Sequence, residues 1–547
     1  MSYNAIKGVN RIPVIQSDVY DENIVFDELV IEYGKRGITL ETDLAYEDDS
    51  THRSSQGRRN RRREKKFLAS RLDSSKQVIG RVASFVPAVI HKRPYVNRMF
   101  ESFIDAHPEY RHEDIHGKYY VQESNIESKE EHLKAFMGPS GSINPIYADS
   151  LGLAYDYVSK FFPIGALGHL RHYQPSLDGL ELNSGPGLSY KLRGYGTKSD
   201  AVGVAMSEAD CKFRRLLKGE RVPPGLYWAG GRGKRCSNIN KDDTIKKGRL
   251  IWMPEMDDTI IQNITLRPLT KLLTVVPGPW SVGDTFFYSG ARSFEVFDRM
   301  GYNRGLFPDY QRFDGSISEP LVRLGISLLR RCYHYNRYDD AYWEYIIESS
   351  VKGMIVMPDN TIRYTNKGMK SGHSFTSLLE CVINALMIYT VLIQLDGNHS
   401  SEFLDEILVK TMGDDSIIIG KEKYRSIIKK ERFQYHMTRA FSVTVHPDKT
   451  FEMDTFILPS FSDFDNRDGI GYKSFQYLGK NIKNGRQWRP YKDTYSMLLY
   501  PEYPCESYSS EKFIASGHYI DCGNNYTMAM IRDYYEYLSI FTDEVTQ

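Results

Sequence analysis

The sequence predicts an α+β protein whose helices cover one face of an antiparallel sheet. Three stretches carry that prediction. Gly413-Asp414-Asp415-Ser416 joins Ile407-Leu408-Val409 to Ile417-Ile418-Ile419; both runs are rich in β-branched residues and strand-length, and the polar link is hairpin-sized. Leu321, Leu324, Leu328 and Leu329 repeat at helical spacing behind Ser318-Glu319-Pro320, where serine can cap and proline is tolerated in the first turn. Phe375, Leu378, Leu379, Val382, Leu386 and Tyr389 mark a second, longer helix. With a strand end expected at Pro308-Asp309, the order is strand, helix, helix, hairpin.

At 547 residues the chain exceeds what one core usually serves, so several subdomains are expected. Hydrophobic residues make up 41% and charged residues 26%, an ordinary globular balance. Net charge is only +1, so any nucleic-acid partner must be met by local basic surfaces. One such run fills residues 51–66 and includes Arg62 and Arg63; it reads either as a solvated segment or as a contact for phosphates or an acidic partner. Glycine-rich punctuation at 185–187, 225–233 and 277–279 reads as loops between layers of one body. The cysteines are scattered with no CxxC pair, which argues against a zinc cluster or disulfide framework and fits reduced thiols in a cytosol-like compartment. The first thirty residues carry acids throughout and no apolar core, so no secretory signal is expected. The longest apolar stretch, 378–395, holds Glu380, Asn384 and Gln394 and reads as a buried helix, so no membrane partner is expected.

Adjacent carboxylates at a hairpin tip repel each other unless a cation neutralises them, and hard oxygen ligands suit Mg²⁺ or Mn²⁺. Alone, Asp414-Asp415 is also readable as an acidic surface turn. Upstream, Asp309-Tyr310-Gln311-Arg312-Phe313-Asp314 places carboxylates at a strand end before a helix. Carboxylates from a strand end and a hairpin can share two ions about 4 Å apart, which stabilise the attacking and leaving oxygens of an in-line displacement. Asp309 and Asp414 are the expected ligand pair, with Asp415 as auxiliary. Ser371-Gly372 opens the longer helix with a loop whose backbone can approach a ligand closely. Thr376 and Asn384, eight residues apart, share a helix face. Asn384 is polar in an apolar stretch and needs a hydrogen-bond partner, from a ligand or from the core itself. His373 reads as an ordinary loop histidine. Lys246, Lys247 and Arg249, with Lys234, Arg235 and Lys241, form a basic patch suited to phosphate or to solvent.

In order and spacing these motifs resemble those of the viral RNA-dependent RNA polymerases, most closely the branch from small double-stranded-RNA viruses (picobirnaviruses and partitiviruses). Asp309 and Asp314 match the D-x4-D of the family's first palm motif; Ser371, Gly372, Thr376 and Asn384 match the second; Gly413-Asp414-Asp415 matches the third. Lys449 falls where the fourth motif has its lysine, and Phe475-Gln476-Tyr477-Leu478-Gly479-Lys480 looks like the fifth. Lys246, Lys247 and Arg249 look like the basic finger motif, and Ser184-Gly185-Pro186-Gly187 like a template-entry loop. The likeness spans roughly residues 184–480.

The resemblance implies a closed right hand of fingers, palm and thumb, with an antiparallel palm sheet backed by helices. Its divisions would be an N-terminal extension at 1–110, fingers at 111–300, palm at 301–480 with a fingers insertion around 340–370, and a short thumb at 481–547. So short a thumb implies either a small one or an N-terminal extension that helps close the tunnel. The implied reaction is attack of the RNA 3′-hydroxyl on the α-phosphate of a template-paired NTP, with two Mg²⁺ or Mn²⁺ ions. Asp309 and Asp414 would hold the metals, Asp415 would support them, and Arg249 and Lys247 would neutralise the triphosphate. Asp314, Asn384, Ser371 and Thr376 would read the ribose, and Lys449 would protonate pyrophosphate. Ser184, Gly185, Arg62 and Arg63 are the template-binding candidates. The implied partners are single- and double-stranded RNA, NTPs and a viral capsid protein, in the virion interior and host cytoplasm. Two rivals stay open. A reverse transcriptase-like polymerase would place a bulky aromatic where Asp314 falls, and Phe313 is one residue away. A non-catalytic RNA-binding or packaging protein would use the basic run but leaves the carboxylates unexplained.

Overall fold

The computed structural model describes residues 22–42, 78–83, 96–122, 126–138, 141–237, 249–282, 301–398, 400–453, 474–477, 480–483, 486–487, 491–501, 507–521 and 525–541. At its centre is a four-stranded antiparallel sheet. In spatial order its strands are Leu408–Met412, Asp415–Gly420, Arg304–Phe307 and Phe451–Met453. The first two form the expected hairpin, and pairing of Met412 with Asp415 leaves Gly413 and Asp414 as a two-residue turn. Gly413 has φ +65°, the left-handed conformation such turns demand and glycine adopts without strain.

The long helix Thr376–Asp396 packs on Leu408–Met412 and is clasped by the helices Ala148–Ser159, Glu319–Arg330 and Lys430–Phe441. It is long and apolar enough to cross a membrane, yet 94% of its most apolar stretch is buried inside the protein. A helix apolar on every side is stable in water only when surrounded in this way. Gly397 ends it in the left-handed conformation. Helix Glu319–Arg330 begins as expected with Pro320 in the first turn, but Ser318 makes no side-chain cap; its carbonyl accepts from Leu321 and Val322 instead.

A second sheet of six strands runs in the order Leu40–Thr42, Val78–Val82, Thr361–Thr365, Gly353–Val356, Tyr227–Arg232, Arg249–Met253. Its one parallel pairing joins Tyr227–Arg232 to Gly353–Val356. The segment around 340–370 therefore contributes two strands to a sheet shared with N-terminal residues. Helices Lys198–Leu217, Met256–Val275 and Asp340–Val351 pack together nearby. Their junction is a buried ionic network: Arg36 pairs with Asp257 at 2.7 Å, and Lys212 with Asp257 at 2.8 Å and Asp258 at 2.7 Å. Tyr33 donates to Glu255 at 3.0 Å and Tyr345 to Asp258 at 2.6 Å. Asp257 and Asp258 sit in the first turn of their helix, where the dipole favours negative charge.

The third body settles where the N-terminal residues go. Phe100 and Phe103 of helix Arg98–Ala106 share one apolar core with Tyr495, Leu498, Met530 and Tyr534 of the C-terminal helices Tyr491–Leu499 and Asn525–Ser539. Asn97 caps the first of these helices and donates to Leu498 O and Glu511 Oε1. Tyr110, Ile115 and Val121 belong to the same core, so residues 96–121 pack as a unit with the C-terminal helices across the boundary expected at 110. Of the fifth motif, Phe475, Gln476, Tyr477 and Lys480 lie on the paired strands Ser474–Tyr477 and Lys480–Lys483, and residues 478–479 lie outside the described residues.

Candidate active site

Asp309 lies two residues beyond the strand Arg304–Phe307. That strand pairs with Asp415–Gly420 in the register Leu306 to Ile418, and extending this register brings position 309 level with the start of the outgoing hairpin strand. The backbone of Asp309 is held on both sides: its N–H donates to Thr450 Oγ1 at 3.1 Å, and its carbonyl accepts from His446 N at 2.6 Å. Arg312 adopts φ +49° and turns the chain into the short helix Phe313–Ser316, which carries Asp314. A non-glycine residue in this region is uncommon. Here it lets Asp309 and Asp314 serve one site from consecutive elements. Met369 N donates to the Asp314 carbonyl at 2.7 Å and fixes that turn.

Electrostatics shows which carboxyls meet. Asp414 reaches solvent, but protein closes around its carboxyl; that removal from water raises its pKa, Asp309 raises it further, and Arg249 opposes the rise. Burial and Asp414 raise the Asp314 carboxyl, again against Arg249. Glu380 is pushed well above the ordinary carboxyl range by burial, then by Asp314 and Asp414. Asp309, Asp314, Asp414 and Glu380 thus crowd one region, with Arg249 as the cation acting on two of them. Among the described residues no group of three or more His, Cys, Asp or Glu side chains is arranged to hold a metal ion. The donors are all hard carboxylate oxygens under mutual repulsion, a chemistry suited to divalent metal ions.

The long helix grips the carboxylate turn. Asn384, 0% exposed, donates through Nδ2 to Gly413 O at 2.9 Å and Asp414 O at 3.3 Å, and its Oδ1 accepts from Tyr310 Oη at 2.9 Å. Cys381 Sγ accepts from Gly413 N at 3.0 Å, and Thr411 Oγ1 donates to Cys381 O at 2.9 Å. In this structure its amide positions the turn. Its need for a partner is met within the core.

The Ser371-Gly372 loop presses on the strand that begins at Arg249. A Cβ on Gly372 would lie 1.7 Å from Trp252 O, so only glycine fits there. Ser371 Oγ accepts from Trp252 N at 3.3 Å, and Thr376 Oγ1 donates back to Lys370 O at 2.7 Å. Thr376 therefore braces the loop. Lys370, fully buried, donates to the carbonyls of Val351, Lys367 and Gly368 and lies 4.7 Å over the Trp252 ring. His373 lies in this loop, as expected, but its ring is turned into the core. It is buried, Nε2 meets Ser349 Oγ at 2.9 Å, Nδ1 accepts from Phe375 N, and burial and Lys370 lower it to about 3.

Arg249 is exposed at the start of its strand, while Lys241, Lys246 and Lys247 lie outside the described residues, as do Arg62 and Arg63. Arg235 sits apart, on the two-stranded sheet formed by Tyr119–Gln122 and Lys234–Ser237, over the Tyr119 ring. Lys449 is exposed and adjoins Thr450, the residue that holds Asp309. Asp415 is exposed at the first position of the outgoing strand. Ser184 accepts from Lys198 Nζ at 2.7 Å, and nearby Pro186 O accepts from Met256 N, which anchors the 184–187 loop to the helix Met256–Val275. Glu380, Cys381, Tyr310 and Thr450 were not singled out as site residues in the sequence. Of these only Glu380 left a signal, as a charge inside an apolar run.

A central antiparallel sheet with carboxylates just beyond one strand and in the turn of the neighbouring hairpin, backed by a buried helix, defines a class that comparison with known proteins makes specific. The viral RNA-dependent RNA polymerase family matches residues 160–539, well over half of the chain, and the chain belongs to that family. It is also 35% identical over 258 residues to a genome polyprotein of Ljunganvirus 1. That match covers 44% of this chain and 10% of the polyprotein, so the chain spans about a tenth of that relative's length.

Proposed function

We propose that this chain copies an RNA template from NTPs: the 3′-hydroxyl of the growing strand attacks the α-phosphate of a paired NTP and pyrophosphate leaves. The observation that carries this reading is that Asp309, beyond one strand, and Arg249 both act electrostatically on Asp414 in the turn of the neighbouring hairpin. Family membership supports it. Asp309 and Asp414 would hold two divalent ions, Mg²⁺ or Mn²⁺, with Asp415 in support. Such ions, when bound, stabilise the attacking and leaving oxygens. Arg249, with Lys246 and Lys247, neutralises the triphosphate, and Asp314 lies on the ribose side beside the Ser371-Gly372 loop. Thr376 and Asn384 hold that loop and the carboxylate turn in place. Lys449 donates the proton to pyrophosphate, and Ser184, Gly185, Arg62 and Arg63 guide the template. Base choice comes from pairing with the template.

In this reading the four-stranded sheet is the palm, the six-stranded sheet belongs to the fingers, and the joint N- and C-terminal helical body closes the hand as thumb. Motif order alone supports a double-stranded RNA genome, a capsid partner and a site of action in the virion and host cytoplasm. Reverse transcription is disfavoured by one observation: Phe313 is buried against Tyr310, which leaves Asp314 beside Asp414. The test is to incubate purified protein with single-stranded RNA and labelled NTPs or dNTPs, in Mg²⁺ or Mn²⁺. Template-length RNA made from NTPs is the expected product. Efficient extension with dNTPs instead would favour the rival polymerase, and no synthesis with any metal would favour a packaging role.

A further inference from the structure

Two loops remote from the carboxylates are joined into one surface. Residues 163–173 follow helix Ala148–Ser159, and residues 331–339 follow helix Glu319–Arg330. Gly165 N donates to Arg331 O, Leu167 N to Cys332 O and His334 N to Gly168 O, each at 2.8 Å. The His334 ring lies over Gly165, 2.7 Å from where a Cβ would stand. Its centroid is 4.8 Å from that of His169, which in turn is 5.6 Å from that of His172. Helix Glu319–Arg330 begins shortly after Asp314 and is about 18 Å long, which puts the second loop roughly that far from the carboxylate site.

Tyr335 is 71% exposed and Tyr338 50%. Each ring has a guanidinium against it: Arg330 lies 4.9 Å over Tyr335, and Arg337 lies 4.9 Å over Tyr338. Arg330 is held in place by Asp340 and by Asn336 O. Arg171, whose charge reaches Asp339, is exposed, as are His172, His334 and Arg337. The local carboxyls are committed elsewhere. Asp340 pairs with Arg330; Asp339 is 2% exposed, and burial pushes its pKa up to about 6 against the pull of Arg330. The imidazoles are not arranged as a metal site.

Single exposed hydrophobic residues need no explanation, but two open rings on one platform rich in arginine and histidine do. A single strand of RNA supplies both counterparts at once. Unpaired bases stack on aromatic rings whatever their sequence, and phosphates accept from arginine and imidazole. A duplex hides its base faces, and a run of carboxylates offers charge for the arginines but no flat face for the rings. We propose that this platform is a second RNA-binding surface, outside the catalytic site, which holds single-stranded RNA by stacking on Tyr335 and Tyr338 with phosphate contacts from Arg171 and Arg337. Binding there does not depend on the polymerase reading. Where that reading holds, a strand gripped at the platform is delivered to the carboxylate site at a raised effective concentration, set by the nucleotides that link the two.

The experiment titrates the full chain into a labelled single-stranded RNA long enough to reach both surfaces, and into the same sequence as a duplex, and follows anisotropy across a salt series. Wild type is compared with Tyr335→Ala/Tyr338→Ala, Tyr335→Phe/Tyr338→Phe and Arg171→Gln/Arg337→Gln, each checked by thermal melting. In the alanine variant single-strand affinity falls about 10- to 100-fold, the worth of a base stacked on an aromatic ring, and duplex affinity holds. The phenylalanine variant keeps flat rings and binds as wild type. The glutamine variant binds more weakly, and its slope of log affinity against log salt is shallower by about 1.4, as expected for two lost phosphate contacts on a single strand. Single-nucleotide extension of a short self-priming hairpin is unchanged in all three. Should the alanine variant melt early, the glutamine variant decides through the salt slope. Wild-type single-strand affinity in both the alanine and glutamine variants overturns the proposal, as does an equal loss for single strand and duplex. If RNA affinity holds while binding of a labelled polyglutamate peptide is lost, the proposal falls and the surface belongs to an acidic protein partner.

Discussion

Replacing Asn384 by alanine separates positioning from sugar reading. The change removes two bonds donated to the turn, to Gly413 O and Asp414 O, and one accepted from Tyr310. Tyr310 is buried and donates to Asn384, with the Ser416 hydroxyl also beside it. Losing these three bonds costs about 2–4 kcal/mol. The turn that carries Asp414 then has only the Cys381 thiol holding it from the helix side. A displacement of roughly 1 Å at a reacting centre can cost on the order of 100-fold in rate. We therefore expect Asn384→Ala to melt several degrees lower, to lose about 10- to 100-fold in kcat, and to need more Mn²⁺ for half-maximal activity. The ratio of NTP to dNTP incorporation stays unchanged. Thermal melting, a metal titration and paired NTP and dNTP kinetics measure all of these. A variant with normal melting and metal dependence but a collapsed NTP preference would refute the reasoning and return Asn384 to the ribose.

Asp414→Ala abolishes incorporation while the fold survives; because burial and Asp309 already disfavour its charge, the melting temperature holds or rises, and near-normal synthesis by this variant would remove Asp414 from the metal site. Glu255 supplies a pH signature. Burial, and then Asp257, push its carboxyl up to about 7. A raised folded-state pKa means the stability it contributes is complete below about pH 4.5 and is lost as pH rises through 7. Melting curves should fall across that window in the wild type and flatten in Glu255→Gln, and parallel curves would show that the group does not titrate there. Asn97→Ala removes a helix cap and two bonds to the C-terminal helices, which lowers stability by about 1–3 kcal/mol; hydrogen exchange should quicken in 98–106 and 491–499 together, and quickening confined to 98–106 would show that the shared core does not couple them.

The parts legible in sequence were those whose signal is local. The hairpin around Gly413 is written in β-branched runs and a glycine, and the long helix in an apolar repeat. The six-stranded sheet was not legible, because its parallel pairing of Tyr227 with Ile355 joins short strands more than a hundred residues apart. The union of 96–121 with the C-terminal helices is equally non-local, and the aromatic residues that make it read as ordinary packing. His373 reads as a loop residue and is one, but its burial against Ser349 depends on a helix more than twenty residues away and leaves no local signal.

The site itself shows where spacing stops being informative. Thr376, Glu380, Asn384 and Thr390 all interrupt one apolar helix, and periodicity treats them alike. Thr390 bonds back to Leu386 O within the helix, Thr376 to Lys370 O, and Asn384 to the turn. Each is satisfied by backbone whose position only the folded chain defines. Among the described residues Glu380 Oε1 has no such partner, and it stands in a field of like charge. A polar group that the fold satisfies explains itself by stability, whereas one that the fold leaves unsatisfied raises the free energy of the empty protein. Selection for stability alone would replace such a carboxyl by an apolar residue. Its place beside Asp314 and Asp414 is therefore explained by the carboxylate site it adjoins and not by the stability of the fold.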